Sequence, residues 1–487
     1  MAKKTKELSL EEKLEQILVP VEEQPYEVPG NWCWTFHNSL IDISGGAQPA
    51  KSYFVSEPTE GYTQLYQTRD YGEKPVPVYI PDKYATKTTE EGDILLARYG
   101  GSLGKVFRAH KGAYNVALAK VIPLYPSLVD DEYLYLYYLS DFYQNFCIKA
   151  GKGRSAQAGY NRDDMAELPF PLPPLVEQKR IVKVIESMFA KLDEAKEIAE
   201  EIVESYEQQK LSIFNKAFSG ELTCNREYKT SAQNTIKEIA DYAESITKKD
   251  KANIQTFQNQ VQYIGMQDGR IWAKTQIGAI GIVTNGSTPS RKCPEYWDGD
   301  IPWVSSGEVR NNEICFTNEK ITQEGYDNSS VKLLPKGTVL IAMIGEGKTR
   351  GQSAVLSIEA TTNQNIAAIV IEHGMIESKY LWYWLQMQYR KNREKGSGSG
   401  PQALNCQRVR ELEISVPSIE EQRDIVKVLD SIMKKEDAML NVAEQTIESI
   451  ESMKKSILAK AFRGELGTNV ETEESSLELL KQILEVS

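Results

Sequence analysis

Clustered metal ligands are missing from this chain: six cysteines and three histidines are scattered through 487 residues, with no Cys-x-x-Cys pair. A structural zinc site needs soft ligands in close groups, so the composition argues against one and for free, reduced thiols. No apolar run approaches the ~20 residues of a membrane span. Residues 1–8 also lack the apolar core of a secretory signal, so the chain reads as cytoplasmic. Excess positive charge is absent too. The net charge is −12, opposite in sign to that of most nucleic-acid binders. The imbalance is uneven: residues 26–172 hold 14 basic against 17 acidic side chains, and residues 271–416 hold 16 against 15. Neither segment is basic enough to bind DNA tightly by charge alone.

What the chain does have is a long repeat. Residues 173–222 recur, without a gap, as residues 417–466, with about half the positions identical. Such a self-match defines the architecture before any motif does. Apolar residues in the first copy recur at three- and four-residue steps (Ile181, Ile185, Met188, Leu192, Ala195, Ala199, Ile202, Tyr206). The second copy follows with Ile425, Leu429, Ile432, Met439, Ala443, Ile450, Met453 and Ile457. Glu and Lys fill the gaps, the pattern of a coiled-coil seam. Pro173-Pro174 and Pro417 mark the helix entries, and the shared Lys-Ala-Phe-x-Gly-Glu-Leu places Gly220 and Gly464 as stops. About 42 residues of helix span roughly 60 Å. An apolar stripe of that length has to be covered, and the other copy, packed antiparallel, is the economical partner.

The segments ahead of the helices match more weakly. Residues 92–100, Gly-Asp-Ile-Leu-Leu-Ala-Arg-Tyr-Gly, pair with residues 337–345, Gly-Thr-Val-Leu-Ile-Ala-Met-Ile-Gly. Asn115-Val-Ala-Leu-Ala echoes Asn365-Ile-Ala-Ala-Ile, and the aromatic residues 133–139 echo 380–385. Glycine turns at 43–49 and 283–289 each close on a proline. The expected fold class is therefore α+β: two tandem α+β domains, each followed by a long helix, the two helices paired antiparallel with pseudo-two-fold symmetry. The expected boundaries are an N-terminal helical segment 1–25, domain 26–172, helix 173–222, linker 223–270, domain 271–416, helix 417–466 and acidic tail 467–487.

Catalytic signatures are not found. Residues 342–349 approach a P-loop but carry Ala342 where the first glycine belongs, and the matching 100–106 has Val106 in place of Ser or Thr. There is no Asn/Asp-Pro-Pro-aromatic tetrad, and His37, His110 and His373 lack nucleophile or carboxylate partners in corresponding places.

In its paired Pro-x-x-x-Glu-Gln-x-x-Ile-Val segments (Pro173 to Val182, Pro417 to Val426), the chain resembles the specificity subunits of type I restriction–modification systems. The Lys-Ala-Phe-x-Gly-Glu-Leu endings carry the same resemblance, as does the stretch from Gly286 to Glu308, and it covers residues ~30–466. It implies a non-catalytic DNA reader whose two domains each recognise one half of a split, asymmetric site. The helices would then be the spacer that docks two methyltransferase subunits, through Glu177, Gln178, Ile181 and Phe218 and through Glu421, Gln422, Ile425 and Phe462. S-adenosylmethionine, ATP and Mg²⁺ would belong to methyltransferase and motor–nuclease partners, and this chain would bind no cofactor or metal itself.

Arg suits guanine and Gln or Asn suits adenine in the major groove. The expected DNA contacts are therefore Arg98, Lys105, Arg108, Lys152, Arg154 and Gln157 in the first domain. In the second they are Arg291, Lys292, Lys348, Arg350, Arg393 and Lys395. Lys111, Lys149, Asn161, Gln352, Arg390 and Lys391 lie in the same clusters. A methyltransferase-only system and a coiled-coil scaffold that binds no DNA remain as alternatives.

Overall fold

The computed structural model describes residues 9–152, 159–345, 347–394, 397–398, 400–401 and 404–486. The chain divides into two compact units, residues 1–200 with 444–487 (unit 1) and residues 201–443 (unit 2). Each dividing point falls inside a long helix, Leu175–Phe218 or Ile419–Phe462. Each unit therefore holds one globular domain, the start of its own long helix and the end of the other one. The two helices run antiparallel: Asp193 meets Lys454 in unit 1 (2.5 Å), and Tyr206 meets Asp437 in unit 2.

The two globular domains share one strand frame. In unit 1 a four-stranded antiparallel sheet has the order Ile41–Gly45, Leu118–Pro123, Ile94–Ala97, Val106–Arg108. In unit 2 the order is Ile282–Asn285, Ile366–Val370, Val339–Ala342, Ser353–Leu356, with Asn312–Ile314 added in parallel at the edge. Ile94–Ala97 and Val339–Ala342 are buried on both faces, which is why each reads as an unbroken apolar run. Gly92 and Gly337 precede them at the same left-handed φ of 87°. A second sheet in each domain pairs two strands in parallel: Tyr62–Tyr66 with Gly112–Tyr114, and Trp297–Val304 with Thr361–Thr362.

That frame corrects one expected correspondence. Asn115, not paired with Asn365, is the counterpart of Asn363. Both are buried, and their Oδ1 atoms accept the amides of Ala117 (3.1 Å) and Asn365 (3.0 Å) two residues on. The glycine turns close beneath them. A Cβ on Gly46 would lie 2.1 Å from the Asn115 carbonyl oxygen, and one on Gly286 1.9 Å from that of Thr362, so both turns require glycine.

The shared residues of the repeat act inside the units. Glu177 is fully buried and accepts hydrogen bonds from Trp32 Nε1 (2.7 Å), Asn469 Nδ2 (2.8 Å) and Thr468 Oγ1 (3.2 Å). Glu421 repeats the arrangement in unit 2 with Trp272 Nε1 (3.1 Å), Thr223 Oγ1 (2.8 Å) and the Arg270 guanidinium. Burial pushes the Glu421 carboxyl above the usual carboxylate range, against the pull of its donors and Arg270. Gln178 and Gln422 bind the loop ahead of each aromatic helix. Their Nε2 atoms donate to Leu128 and Met375 carbonyls, and their Oε1 atoms accept the amides of Asp130 and Glu377.

Phe462 packs on Tyr133 and Tyr137, with ring centroids 5.2 and 5.9 Å apart, while Phe218 packs on Tyr380 and Trp384 at 5.2 and 5.0 Å. Ile181 and Ile425 are fully buried. The docking role expected of these eight side chains is therefore corrected. They are enclosed by their own unit and present no side-chain surface to a partner.

The segments read as linker and tail are helical and packed. Residues 223–270 contain the helices Ala232–Ala243 and Lys248–Gln258, whose Ile236, Ile239, Ile254 and Phe257 enter the core of unit 2. The tail forms a helix, Ser476–Val486, that buries Leu480 and Leu484 in unit 1 beside the N-terminal helix Leu10–Ile17. Ser9 caps that N-terminal helix in a capping box with Glu12. Lys13 Nζ reaches the Leu484 carbonyl (2.9 Å), and Arg180 forks onto Glu473 with two 2.7 Å bonds. The two chain ends thus complete unit 1 much as the central segment completes unit 2.

His37 lies in the unit 1 core, 2.7 Å from the Tyr138 hydroxyl and 2.9 Å from Asn38 Oδ1. Burial holds its pKa down to about 4 against the ordinary 6.5. The unfolded chain therefore binds the proton first as pH falls, and stability drops between pH 6.5 and 4 by roughly 3 kcal/mol. Urea unfolding at pH 7 and pH 4 should show that loss in the parent and a smaller one in His37→Gln. Equal losses would remove His37 from the account.

Candidate nucleic-acid interface

In each domain the buried central strand runs out into a glycine-rich turn, and a helix late in the domain packs beside it. In unit 1, Gln144 Nε2 on the helix Asp141–Lys152 donates to the Gly104 carbonyl (3.0 Å), and Tyr99 forms a β-bridge with Gly159. In unit 2, the Tyr389 hydroxyl donates to the Lys348 carbonyl (2.6 Å) and Arg393 to the Arg350 carbonyl (3.1 Å). Leu404 N closes the same turn on the Met343 carbonyl (3.1 Å). Basic clusters separated by some fifty residues in sequence are thereby brought to one edge. In unit 1 the turn residue Leu103 lies against Gly151, next to Lys152, and in unit 2 Lys348 and Arg390 line one notch while Arg393 holds the Arg350 carbonyl.

The side chains on these edges fall into two groups. Lys105, Lys152, Lys292, Lys348 and Arg390 are exposed and form no ion pair among the described residues. They are available to phosphate or base. Several arginines are not. Arg108 lies on the Tyr135 ring at 4.2 Å, donates to the Gly92 carbonyl (3.1 Å) and pairs with Glu132. Arg291 lies 3.6 Å from the Trp297 ring centroid and forks onto Glu319. The Glu319 hydrogen bonds raise the Arg291 pKa and lower that of Glu319. Arg393 braces the turn as described and lies against Tyr389. In the DNA-free chain these three expected contacts are engaged by carboxylate or carbonyl partners, and a guanidinium would have to exchange that partner to fork onto guanine.

Arg98 is intermediate. It stacks on Tyr99 at 5.0 Å and donates to the Val116 carbonyl (2.9 Å), while its Nε is buried without a partner. Arg350 is partly exposed, with Nε likewise unpartnered. Lys111 pairs with Glu90 at 3.0 Å. Arg154, Gln157 and Lys395 lie outside the described residues.

One surface feature was not anticipated. Tyr53 and Tyr84 stack with centroids 4.3 Å apart, Lys83 lies 5.0 Å from the Tyr84 ring, and Tyr53 is 40% exposed. An aromatic platform with a cation is a surface on which a nucleobase can stack. The two tyrosines lie thirty-one residues apart in a stretch with no counterpart pattern, so nothing in the sequence links them. Among the described residues there is no cluster of metal-ligating side chains, and no helix is long and apolar enough to cross a membrane.

A family model described as the type I restriction modification DNA specificity domain matches residues 38–204 and again 270–449. The MjaIX specificity subunit of Methanocaldococcus jannaschii is 34% identical over 163 residues, covering 32% of this chain and 37% of its own. The EcoR124I/EcoR124II specificity subunit of Escherichia coli is 28% identical over 215 residues, covering 42% of this chain and 53% of its own. These alignments thus span only about a third to a half of those two relatives. The M. jannaschii MjaVIII specificity subunit aligns over 455 residues at 22% identity, 90% of this chain and 94% of its own. Among solved structures, the HsdS subunit of Thermoanaerobacter tengcongensis shares the fold, with a TM-score of 0.60 at 18% identity over 92% of this chain and all of that one. A chain from a study of complex assembly and conformational transition in a type I R-M system gives 0.61 at 18% identity, over 91% of this chain and all of that one.

Proposed function

The chain belongs to the family of type I restriction modification DNA specificity domains, and from that premise we propose that it is the sequence-reading subunit of a type I restriction–modification complex. It is non-catalytic and works in the cytoplasm. Each globular domain reads one half of a bipartite, asymmetric duplex site. The observation that carries this reading is one strand frame built twice, with turns of different sequence after the same buried strand: residues 98–105 in unit 1 and 343–352 in unit 2, each carrying an exposed lysine, Lys105 or Lys348. A constant frame with divergent turns suits two readers of different half-sites.

The long helices dock two methyltransferase subunits, which supply S-adenosylmethionine and the adenine chemistry. Motor–nuclease subunits using ATP and Mg²⁺ join that core. With the eight side chains shared by the two repeats buried, the docking surface has to lie elsewhere on the helices. Ile198 in unit 1 and Val442 in unit 2 occupy equivalent repeat positions and are 53% and 62% exposed. Among the exposed apolar side chains of the two helices, which also include Val176, Met188, Met439 and Met453, this equivalent pair supports two equivalent docking positions. The acidic balance of the chain fits a division of labour in which partners supply most phosphate contacts.

Adenine-methylation mapping tests this in cells expressing the chain and its methyltransferase, against cells lacking only this chain. A single split motif with a fixed gap, lost on deletion, is expected. An unchanged methylome with the methyltransferase present would overturn the reading.

A further inference from the structure

We propose that a notch in unit 2 grips a backbone phosphate of bound DNA through Lys210, Lys348 and Arg390, and that unit 1 has no matching grip from its own long-helix lysine. The inference rests on the reading of the chain as a DNA reader. The notch, about 320 Å³, opens between the end of the first long helix and the glycine-rich turn of the second domain. Lys210 projects from the helix, Lys348 from the turn and Arg390 from the helix Tyr389–Glu394. Gln352 and Gln386 line it as well, and Glu207 contributes one carboxylate at the rim. None of the three cations forms an ion pair among the described residues. Lys348 is held in place through its own carbonyl, which accepts the Tyr389 hydroxyl at 2.6 Å. Gln386 is 8% exposed, and its Nε2 has no hydrogen-bond partner. Three cations, a buried amide lacking a partner and a single opposing carboxylate make a site for an anion.

The contrast between the units points the same way. In unit 1, Lys454 is the repeat counterpart of Lys210, and it is neutralised by Asp193 at 2.5 Å. Asp437 is the counterpart of Asp193, but in unit 2 it accepts the Tyr206 hydroxyl instead. The residue equivalent to Tyr206 in unit 1 is Ile450, which is buried and has no hydroxyl to compete. Tyr206 thus draws the acid away and leaves Lys210 with only the Tyr206 and Phe214 rings, each at 5.8 Å. A lysine kept free beside two other cations, at the edge that carries the candidate reading turn, is placed to contact phosphate and set register, without reading sequence.

The experiment uses the purified complex of this chain with its methyltransferase and two duplexes, one carrying the mapped motif and one scrambled. Affinity is measured across a salt series. Lys210→Gln should weaken binding to both duplexes alike and reduce the log–log salt slope by about 0.9, one phosphate's worth. Tyr206→Ile, which copies unit 1, should free Asp437 to pair with Lys210 and reduce the slope similarly. Lys454→Gln should leave the slope unchanged. Parental slopes in both Lys210→Gln and Tyr206→Ile would overturn the proposal alone. So would loss of methyltransferase co-elution with DNA affinity of the intact fraction unchanged, since the notch would then hold an acidic face of the partner. A parent complex that binds neither duplex would overturn the DNA-reader reading, and the phosphate grip with it.

Discussion

Cutting the chain after Leu466 is expected to unfold unit 1 and abolish methylation. The cut removes Leu480 and Leu484 from the core, a loss of roughly 3–6 kcal/mol from two buried leucines. It also removes Thr468 and Asn469, two of the three donors to the buried Glu177, and exposes the carboxylate's pocket beside Trp32. A buried carboxylate stripped of its partners costs about 3 kcal/mol more. The sum approaches the whole stability of a typical domain, about 5–15 kcal/mol. Hydrogen exchange followed by mass spectrometry should show unit 1 peptides losing protection while residues 232–443 of unit 2 keep theirs. Full protection in the truncated chain would mean that the tail is an accessory and that Glu177 has other donors.

Phe462→Ala and Phe218→Ala are expected to cost about 3–5 kcal/mol each, but in different units. Phe462 fills the space beside Tyr133 and Tyr137 in unit 1, and Phe218 that beside Tyr380 and Trp384 in unit 2. Although each phenylalanine ends the helix that leaves one domain, it closes the core of the other. Phe462→Ala should therefore loosen the first globular domain, which precedes it by some three hundred residues. Phe218→Ala should loosen the second, which follows it. Thermal unfolding resolved by unit-specific exchange would separate the two. If Phe462→Ala loosened the second domain and Phe218→Ala the first, the pairing of helix ends with domains would be wrong.

The unequal fates of the basic residues explain why the interface was only partly legible. Gly-rich turns next to apolar strands are recognisable in the sequence, because turn chemistry and strand burial are local properties. Whether an arginine on such an edge is free depends on what lies opposite. Arg108 meets Glu132 and Tyr135, and Arg291 meets Glu319 and Trp297, across distances in sequence that no local pattern reveals. Lys210 shows the converse. In the helix seam it looks like any charged flank, and only the Tyr206–Asp437 contact shows that its natural partner is occupied.

The sequence by itself determined the duplication, the two 44-residue helices, their glycine stops and the α+β character of both domains. Those features follow from periodicity and backbone preference, which act over a few residues. Gly220 and Gly464 do sit at φ 81° and 74°, where only glycine is unstrained. The tertiary structure decided which helix end fills which core, that residues 223–270 and the tail are folded, and that Glu177, Gln178, Glu421 and Gln422 face inward. Each of those outcomes turns on contacts such as Asn31 Nδ2 to the Val470 carbonyl (3.2 Å) or Thr223 to Glu421. Their partners lie hundreds of residues apart, and a buried carboxylate is stable only where such distant donors converge on it.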